Sequence, residues 1–306
     1  MSDSSFPHDL LWPRAGDWIV PTREALAEGD LALIGVPAHK TSISPTGANK
    51  TPGAVREALM RFSTYSATHD VDVATLRAFD LGDVADPDGP EGERRVCESV
   101  AEAAWRFKLL VAVGGDNSIT YPVMRGLLGE DLSECGLITV DAHHDLRDGV
   151  SNGSPVRRLV EAGLPGSHIV QIGIADFANS PAYASRAREL GITVIPRTHL
   201  QGRPMEEVAV RALEIAGHGG HPVFVDLDVD VCDRAAVPGC PASAPGGICA
   251  DDLRQLAYLF GRDEHVRGID ITEVDATADA PDGRTVRLAA LLVLEAAAGL
   301  AGRTRG

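Results

Sequence analysis

Two apolar strands that each end in acid constrain this chain more than any other feature. Gly136-Leu137-Ile138-Thr139-Val140 is a β-branched run of the kind that fills a parallel sheet. It breaks directly into Asp141-Ala142-His143-His144-Asp145. About 85 residues later, Pro222-Val223-Phe224-Val225 runs into the acid ladder Asp226-Leu227-Asp228-Val229-Asp230. Side chains alternate along a strand, so Asp141, His143 and Asp145 project to one side of the first tip. A turn facing water is an adequate account of one Asp-x-His. It is a poor account of two such tips, because carboxylates this close repel unless a shared cation offsets the cost. The pair therefore points to a divalent metal held between strand ends.

Around these tips, strands and helices alternate. Leu31–Val36 is the first buried strand, followed by a Ser/Thr/Gly/Pro-rich loop, 37–50, long enough to be an active-site loop. Thr51-Pro52 has the composition of a helix start, with Thr as N-cap and Pro at the first helical position. Further strands are expected at 79–83, 109–113, 168–173, 192–195, 222–228 and 268–273. Helices are expected near 91–107, 119–128, 155–162, 182–190, 205–216, from 251, and at 285–300. About eight strands joined by helical crossovers predict a three-layer α/β/α fold with a central parallel sheet. No shift in composition marks a boundary, so residues 1–306 are expected to form one domain, with 1–29 as an N-terminal arm. Ligands of such sheets bind at the carboxyl ends of the strands. There lie Asp80–Asp83, Gly114–Ser118, Asp141–Asp145, Asp226–Asp230 and Asp270–Glu273. A dinucleotide site is the competing idea for this architecture, but no GxGxxG follows the first strand.

Composition narrows the function. The net charge of −16 argues against nucleic acid or an anionic membrane surface as partner. It leaves an anionic substrate open, because a bound metal inverts the local field. The 5 cysteines follow no CxxC or CxxH spacing, so Cys232, Cys240 and Cys249 make a poor zinc cluster, and reduced thiols in the cytoplasm are expected. The first residues lack a basic and an apolar signal region, and no stretch reaches the roughly 18 uninterrupted apolar residues of a membrane span.

In order along the chain, Gly35-Val36-Pro37, Gly114-Gly115-Asp116-Asn117-Ser118, Asp141-Ala142-His143-His144-Asp145, Asp228-Val229-Asp230-Val231-Cys232-Asp233, Pro238-Gly239 and Glu273 resemble the arginase/agmatinase/formimidoylglutamase (ureohydrolase) family. The resemblance runs from about Gly35 to Leu300. It implies an arginase-like fold and a two-manganese centre with Asp141, His143, Asp145, Asp228 and Asp230 as ligands, Asp141 and Asp228 bridging. It implies that Glu273 holds the cationic amidine or guanidine and that Asp233 supports the ligand loop. Asp145 and Glu273 are the expected catalytic residues. An oxygen-rich site suits Mn²⁺, and two such ions ionise a water at neutral pH.

Three departures qualify the resemblance. Asn117 stands where the family places a metal-binding His; an amide oxygen ligates more weakly, so one of the two Mn²⁺ sites is expected to be the weaker. His144 is the only nearby imidazole substitute, and it lies on the opposite side of the alternation. The segment Ser151-Asn152-Gly153-Ser154-Pro155 lacks the His-Gly of arginases and agmatinases, which removes a proton shuttle. Asp226 occupies a position usually held by a small residue, and Val274-Asp275-Ala276 replaces Val-Asn-Pro.

Within the family, Asp145-Leu146-Arg147 followed by Ser151–Pro155 is most similar to the formimidoylglutamase branch. A guanidinium binds carboxylate in a bidentate fork, so Arg147 suits a dicarboxylate substrate, unless it is a surface arginine paired with Asp148. Asn152 and Ser154 complete the expected substrate contacts. The expected activity is manganese-dependent hydrolysis of linear amidine C–N bonds, formimidoylglutamate giving glutamate and formamide. The alternatives are an agmatinase or guanidino-acid amidinohydrolase that releases urea, and a non-catalytic homologue that serves as a binding or assembly subunit. The resemblance also implies a homo-oligomer, trimer or hexamer.

Overall fold

In the computed structural model of the chain, which describes residues 9–22 and 28–303, the apolar runs become nine parallel strands of one sheet. They are β1 (Val20–Pro21), β2 (Gly29–Val36), β3 (Ala78–Asp83), β4 (Phe107–Gly114), β5 (Gly136–Val140), β6 (Ile169–Ile174), β7 (Thr193–Pro196), β8 (Val223–Asp228) and β9 (Val266–Thr272). Their order across the sheet is β1-β3-β2-β4-β9-β8-β5-β6-β7. The expectation of about eight strands is one short, because the two-residue β1 adds an edge beside β3. That edge comes from the expected N-terminal arm, of which residues 1–8 and 23–27 lie outside the described residues.

The period of two along each strand sorts its side chains between two cores. Leu31, Leu33, Leu109, Val111 and Ile138 face one layer, formed chiefly by helices Thr51–Leu59, Met205–Ala216, Ala250–Arg262 and Arg284–Arg303. Ala32, Ile34, Leu110, Ala112 and Leu137 face the other, formed by Gly89–Ala103, Thr120–Leu128, Pro155–Glu161 and Pro181–Glu189. Phe260 is fully buried in the first layer, where truncation to alanine would cost about 3–5 kcal/mol. The closing helix Arg284–Arg303 is long and apolar enough to cross a membrane, yet 72% of its most apolar window is buried inside the fold. Its apolarity belongs to the core.

The crossovers bring together strands that are far apart in sequence. β8 and β9 insert between β4 and β5, so the carboxyl ends of β4, β9, β8 and β5 stand side by side. The register pairs Asp226 with Asp270 and Asp228 with Thr272, which sets the acid ladder beside the end of β9. The outer pair of expected strand-end acids plays no part there. Asp80 and Asp83 are held by Arg56, at 2.6 and 2.8 Å from Asp80 and 2.6 Å from Asp83.

Candidate metal centre

Each acid-tipped strand end uses the same local device. An aspartate just past or at the end of the strand turns one oxygen back onto the backbone NH two residues on, which folds the chain into an Asx turn. Asp141 Oδ1 accepts from His143 N at 2.6 Å, Asp228 Oδ1 from Asp230 N at 2.8 Å, and Asp116 Oδ1 from Ser118 N at 3.1 Å. One oxygen per residue thus holds the turn and the other is left for chemistry. Asp141 Oδ2 is buried with no hydrogen-bond partner. Ala142 N donates to Asp230 Oδ1 at 3.0 Å and locks the two principal tips together. Gly115 lets the β4 tip approach the loop after β2, since a Cβ there would fall 2.0 Å from the Ala38 carbonyl oxygen.

Two groups of donors result. Asp141, His143 and Asp230 form one, and Asp141, Asp145 and Asp226 the other, with ligand atoms in each group within 4.8 Å of one another. Asp141 belongs to both, as a bridging ligand must. Asp228, the second expected bridge, belongs to neither group and stands on the wall of the adjoining cavity. A carboxylate set with one imidazole and an orphaned buried oxygen fits a hard divalent cation such as Mn²⁺.

The electrostatics have the same cause. Burial, with the neighbouring acids behind it, pushes Asp141 up to about 6 and holds Asp145, Asp226 and Asp228 well above the usual carboxylate range. Burial opposes charge on Asp230 too, but His143, 2.7 Å away, outweighs it and holds that carboxyl low. Burial likewise opposes charge on His143, yet Asp230 and Asp141 push its imidazole up to about 12. A divalent cation would displace that proton and supply the missing positive charge.

Beside the donors lies a cavity of about 370 Å³, within the range of small-molecule sites. Asn117, His143, Asp145, Asp228, Asp230 and Glu273 line it, together with Arg147, Asn152 and Tyr183. Asp145 and Glu273 both adopt left-handed backbone, with φ of 52° and 62°, a conformation that costs a non-glycine residue of order 1–3 kcal/mol and clusters at functional sites. Glu273 Oε1 accepts from Asn117 N at 2.8 Å and Asn152 Nδ2 at 2.9 Å. Burial, reinforced by Asp116, raises its carboxyl to about 7. Asn152 Oδ1 accepts from Ile43 N at 3.1 Å, which ties the long loop after β2 to the site, where Ile43 and Ser44 also line the cavity.

Several expected residues stand differently. Ser154 is no substrate contact: its buried hydroxyl donates to the Ser151 carbonyl at 2.7 Å and closes the turn that presents Asn152. Asn117 is close to the donors, but its carboxamide oxygen accepts from Thr120 Oγ1 at 2.8 Å while its NH₂ donates to Asp145 Oδ2. His144 is turned away from the tips onto Gln171, 2.6 Å from its Oε1. Asp148 pairs with Arg186 at 2.9 Å, and Arg147 is left facing the cavity. Asp233 accepts from Ala235 N at 2.8 Å and Gly246 N at 2.7 Å, pinning both ends of the loop after the ladder. Thr51 does not cap its helix; its hydroxyl donates to the Val274 carbonyl at 2.5 Å.

Sequence reading missed Asn179, whose Oδ1 accepts from His144 N at 2.9 Å and whose Nδ2 donates to the Ala142 carbonyl at 2.9 Å. The available signal was Ser180-Pro181, a helix start placed just after a buried strand. Asp275, in place of the expected Asn, is a further brace. Its oxygens accept from Gly47 N at 2.7 Å and Thr277 Oγ1 at 2.6 Å, anchoring the loop after β2.

A profile described as the arginase family matches residues 29–299. The formimidoylglutamase of Halalkalibacterium halodurans is 37% identical, over 92% of this chain and 90% of that protein. The crystal structure of the Bacillus subtilis formimidoylglutamase superposes with a TM-score of 0.90 at 31% identity, covering 98% of this chain and 96% of that one. The Trypanosoma cruzi formiminoglutamase, described as a structure with Mn²⁺, shares the fold with a TM-score of 0.87 at 24% identity, over 95% and 99% of the two chains.

Proposed function

The chain belongs to the arginase family, and we propose that it hydrolyses the amidine C–N bond of N-formimidoylglutamate to give glutamate and formamide. One observation carries the choice of substrate. One cavity is lined both by Glu273 with metal donors and by Arg147, which has no carboxylate partner among the described residues. That arrangement matches a molecule with a cation at one end and carboxylates at the other. Agmatine, cationic at both ends, would meet the Arg147 guanidinium unfavourably.

The residues divide the work accordingly. Asp141, His143, Asp145, Asp228 and Asp230 would hold two Mn²⁺ ions, with Asn117 beside the weaker site. When bound, these ions supply a water ionised at neutral pH. Glu273, with Oε1 committed to two NH donors, pairs the amidinium through its remaining oxygen and sets the amidine carbon against the donor groups. Hydrolysis adds a water oxygen to that carbon and then breaks its C–N bond to glutamate, and the departing nitrogen must receive one proton. Asp145, steadied by Asn117, is positioned to hold that proton. Arg147 binds a substrate carboxylate in a fork. Asn152 keeps Glu273 and the loop after β2 in place.

We further infer a single hydrolase domain, a cytoplasmic protein with reduced thiols, and a homo-oligomer. The exposed Leu10, Leu11 and Trp12 near the N-terminus support assembly. The test of function is an assay of Mn²⁺-loaded protein against formimidoylglutamate, agmatine and guanidino acids, scoring formamide, ammonia and urea. Formamide from formimidoylglutamate is expected; urea from a guanidine as the faster product would overturn the substrate assignment.

A further inference from the structure

We infer that Asp226 is itself a metal ligand and takes the place of the imidazole that this chain lacks at position 117. The inference rests on the metal part of the proposed function and extends it to a residue outside the family's expected ligand set.

Asp226 lies in β8 two residues before Asp228, so both side chains project from the same face of the strand. It is 0% exposed, and one of its oxygens lies within 4.8 Å of ligand atoms of both Asp141 and Asp145. Its protein partners do not account for it. Oδ1 has a long contact with Thr272 Oγ1 at 3.4 Å, and Oδ2, fully buried, has no hydrogen-bond partner. Across the register stands Asp270, also 0% exposed and within side-chain hydrogen-bonding reach of Asp226 and Thr120; with both acids charged, neither carboxylate offers the other a donor. A buried carboxylate left without hydrogen bonds costs several kcal/mol, and a second acid beside it adds repulsion. Packing gives no reason to place an acid here, since a small residue or an apolar one would fill the strand without that cost.

The neighbouring donor set has a matching deficit. The Asn117 carboxamide gives its oxygen to Thr120 and turns its NH₂, a donor, toward Asp145. Apart from Asp228, which stands outside both close donor groups, that site is left with two carboxylates from the β5 tip. Asp226 reaches it from beneath, as an anionic oxygen that suits Mn²⁺ better than a neutral amide. Asp226 is absent from the cavity wall, so it serves the ion and makes no contact with substrate.

The experiment is a Mn²⁺ titration of chelator-stripped protein, read by calorimetry, elemental analysis and low-temperature EPR of the coupled ion pair. The native protein is expected to bind two ions. Asp226→Ser should retain the ion on the His143 side, weaken the other by at least about 100-fold and abolish the coupled signal. The double variant Asp226→Ser with Asn117→His, which moves the donor to the other side of the site, should regain the second ion and the signal. Two ions bound by Asp226→Ser at native affinity would overturn the inference. So would loss of the second ion without recovery in the double variant, or a metal-free Asp226→Ser that melts well below metal-free native protein, since either marks a structural role. A protein that behaves as expected here yet yields no formamide from formimidoylglutamate would leave this ligand assignment standing and remove the substrate assignment.

Discussion

Replacing Glu273 by glutamine separates the cost of a buried charge from its use. The Gln Oε1 can accept the same two hydrogen bonds, from Asn117 N and Asn152 Nδ2, so the packing is preserved and only the charge is lost. Burial raises the Glu273 carboxyl from 4.5 to about 7 in the folded, metal-free protein. The native state therefore binds more protons than the unfolded state between these values, and stability falls as pH rises through that window. The shift corresponds to about 3 kcal/mol, present as stabilisation below pH 4.5 and lost by pH 7. Metal-free Glu273→Gln should accordingly match native protein near pH 4.5 and exceed it by up to about 3 kcal/mol at pH 8. For a chain of this length that is about 5 °C in Tm. Activity should move the other way: without the charge-assisted pair, kcat/KM for the amidine should drop about 10- to 100-fold at pH 8. The assays are thermal melts of stripped protein from pH 4.5 to 8.5 and steady-state kinetics of the Mn²⁺ form. Equal melting of the two proteins at pH 8 would refute the buried-charge argument, and undiminished kcat/KM would refute the amidine-holding role.

Arg147→Ala should lower kcat/KM for formimidoylglutamate about tenfold or more while sparing an amidine without carboxylates, and Arg147→Lys should recover only part of the loss. Silence of Arg147→Ala with agmatine as the better substrate would remove the dicarboxylate reading. Asp141→Ala should abolish binding of both Mn²⁺ ions, because both donor groups include it, whereas His143→Ala should weaken one ion selectively in calorimetry. Full metal content in Asp141→Ala would show that it does not bridge. Asn152→Ala should raise KM about 5- to 10-fold, as the loss of roughly 1 kcal/mol of hydrogen bonding frees Glu273 and the Ile43 loop. A change confined to kcat would count against that positioning role.

Much of the site was legible because its donors are local. Asp141, His143 and Asp145 follow one strand, and Asp228 and Asp230 follow another, so a period of two and an abrupt change from apolar to acidic suffice to mark them. Glu273 is marked in sequence only as a strand-end acid and its role comes from family resemblance, since nothing beside it in sequence shows that it will bind Asn117 and Asn152, 156 and 121 residues away. Ser154 looked like a substrate contact because a hydroxyl in a polar loop has no sequence signal for the direction it faces. Its turn decided that. The edge strand β1 was missed for a related reason, as two residues carry no period.

The sequence by itself determined the layered parallel sheet, the face of each strand, and the chemistry at each strand tip, because these depend on the side-chain alternation within single segments. It also determined that two acidic tips must share a cation, since their repulsion follows from composition at a strand end. Tertiary structure decided which tips meet. The insertion of β8 and β9 between β4 and β5, and the register that sets Asp226 beside Asp270, are properties of strand order and hydrogen-bond pairing, which alternation leaves unspecified. Only that order turns Asn117 toward Asp145, puts Glu273 and Arg147 in one cavity wall, and leaves one oxygen of the buried Asp226 without a partner beside the metal donors.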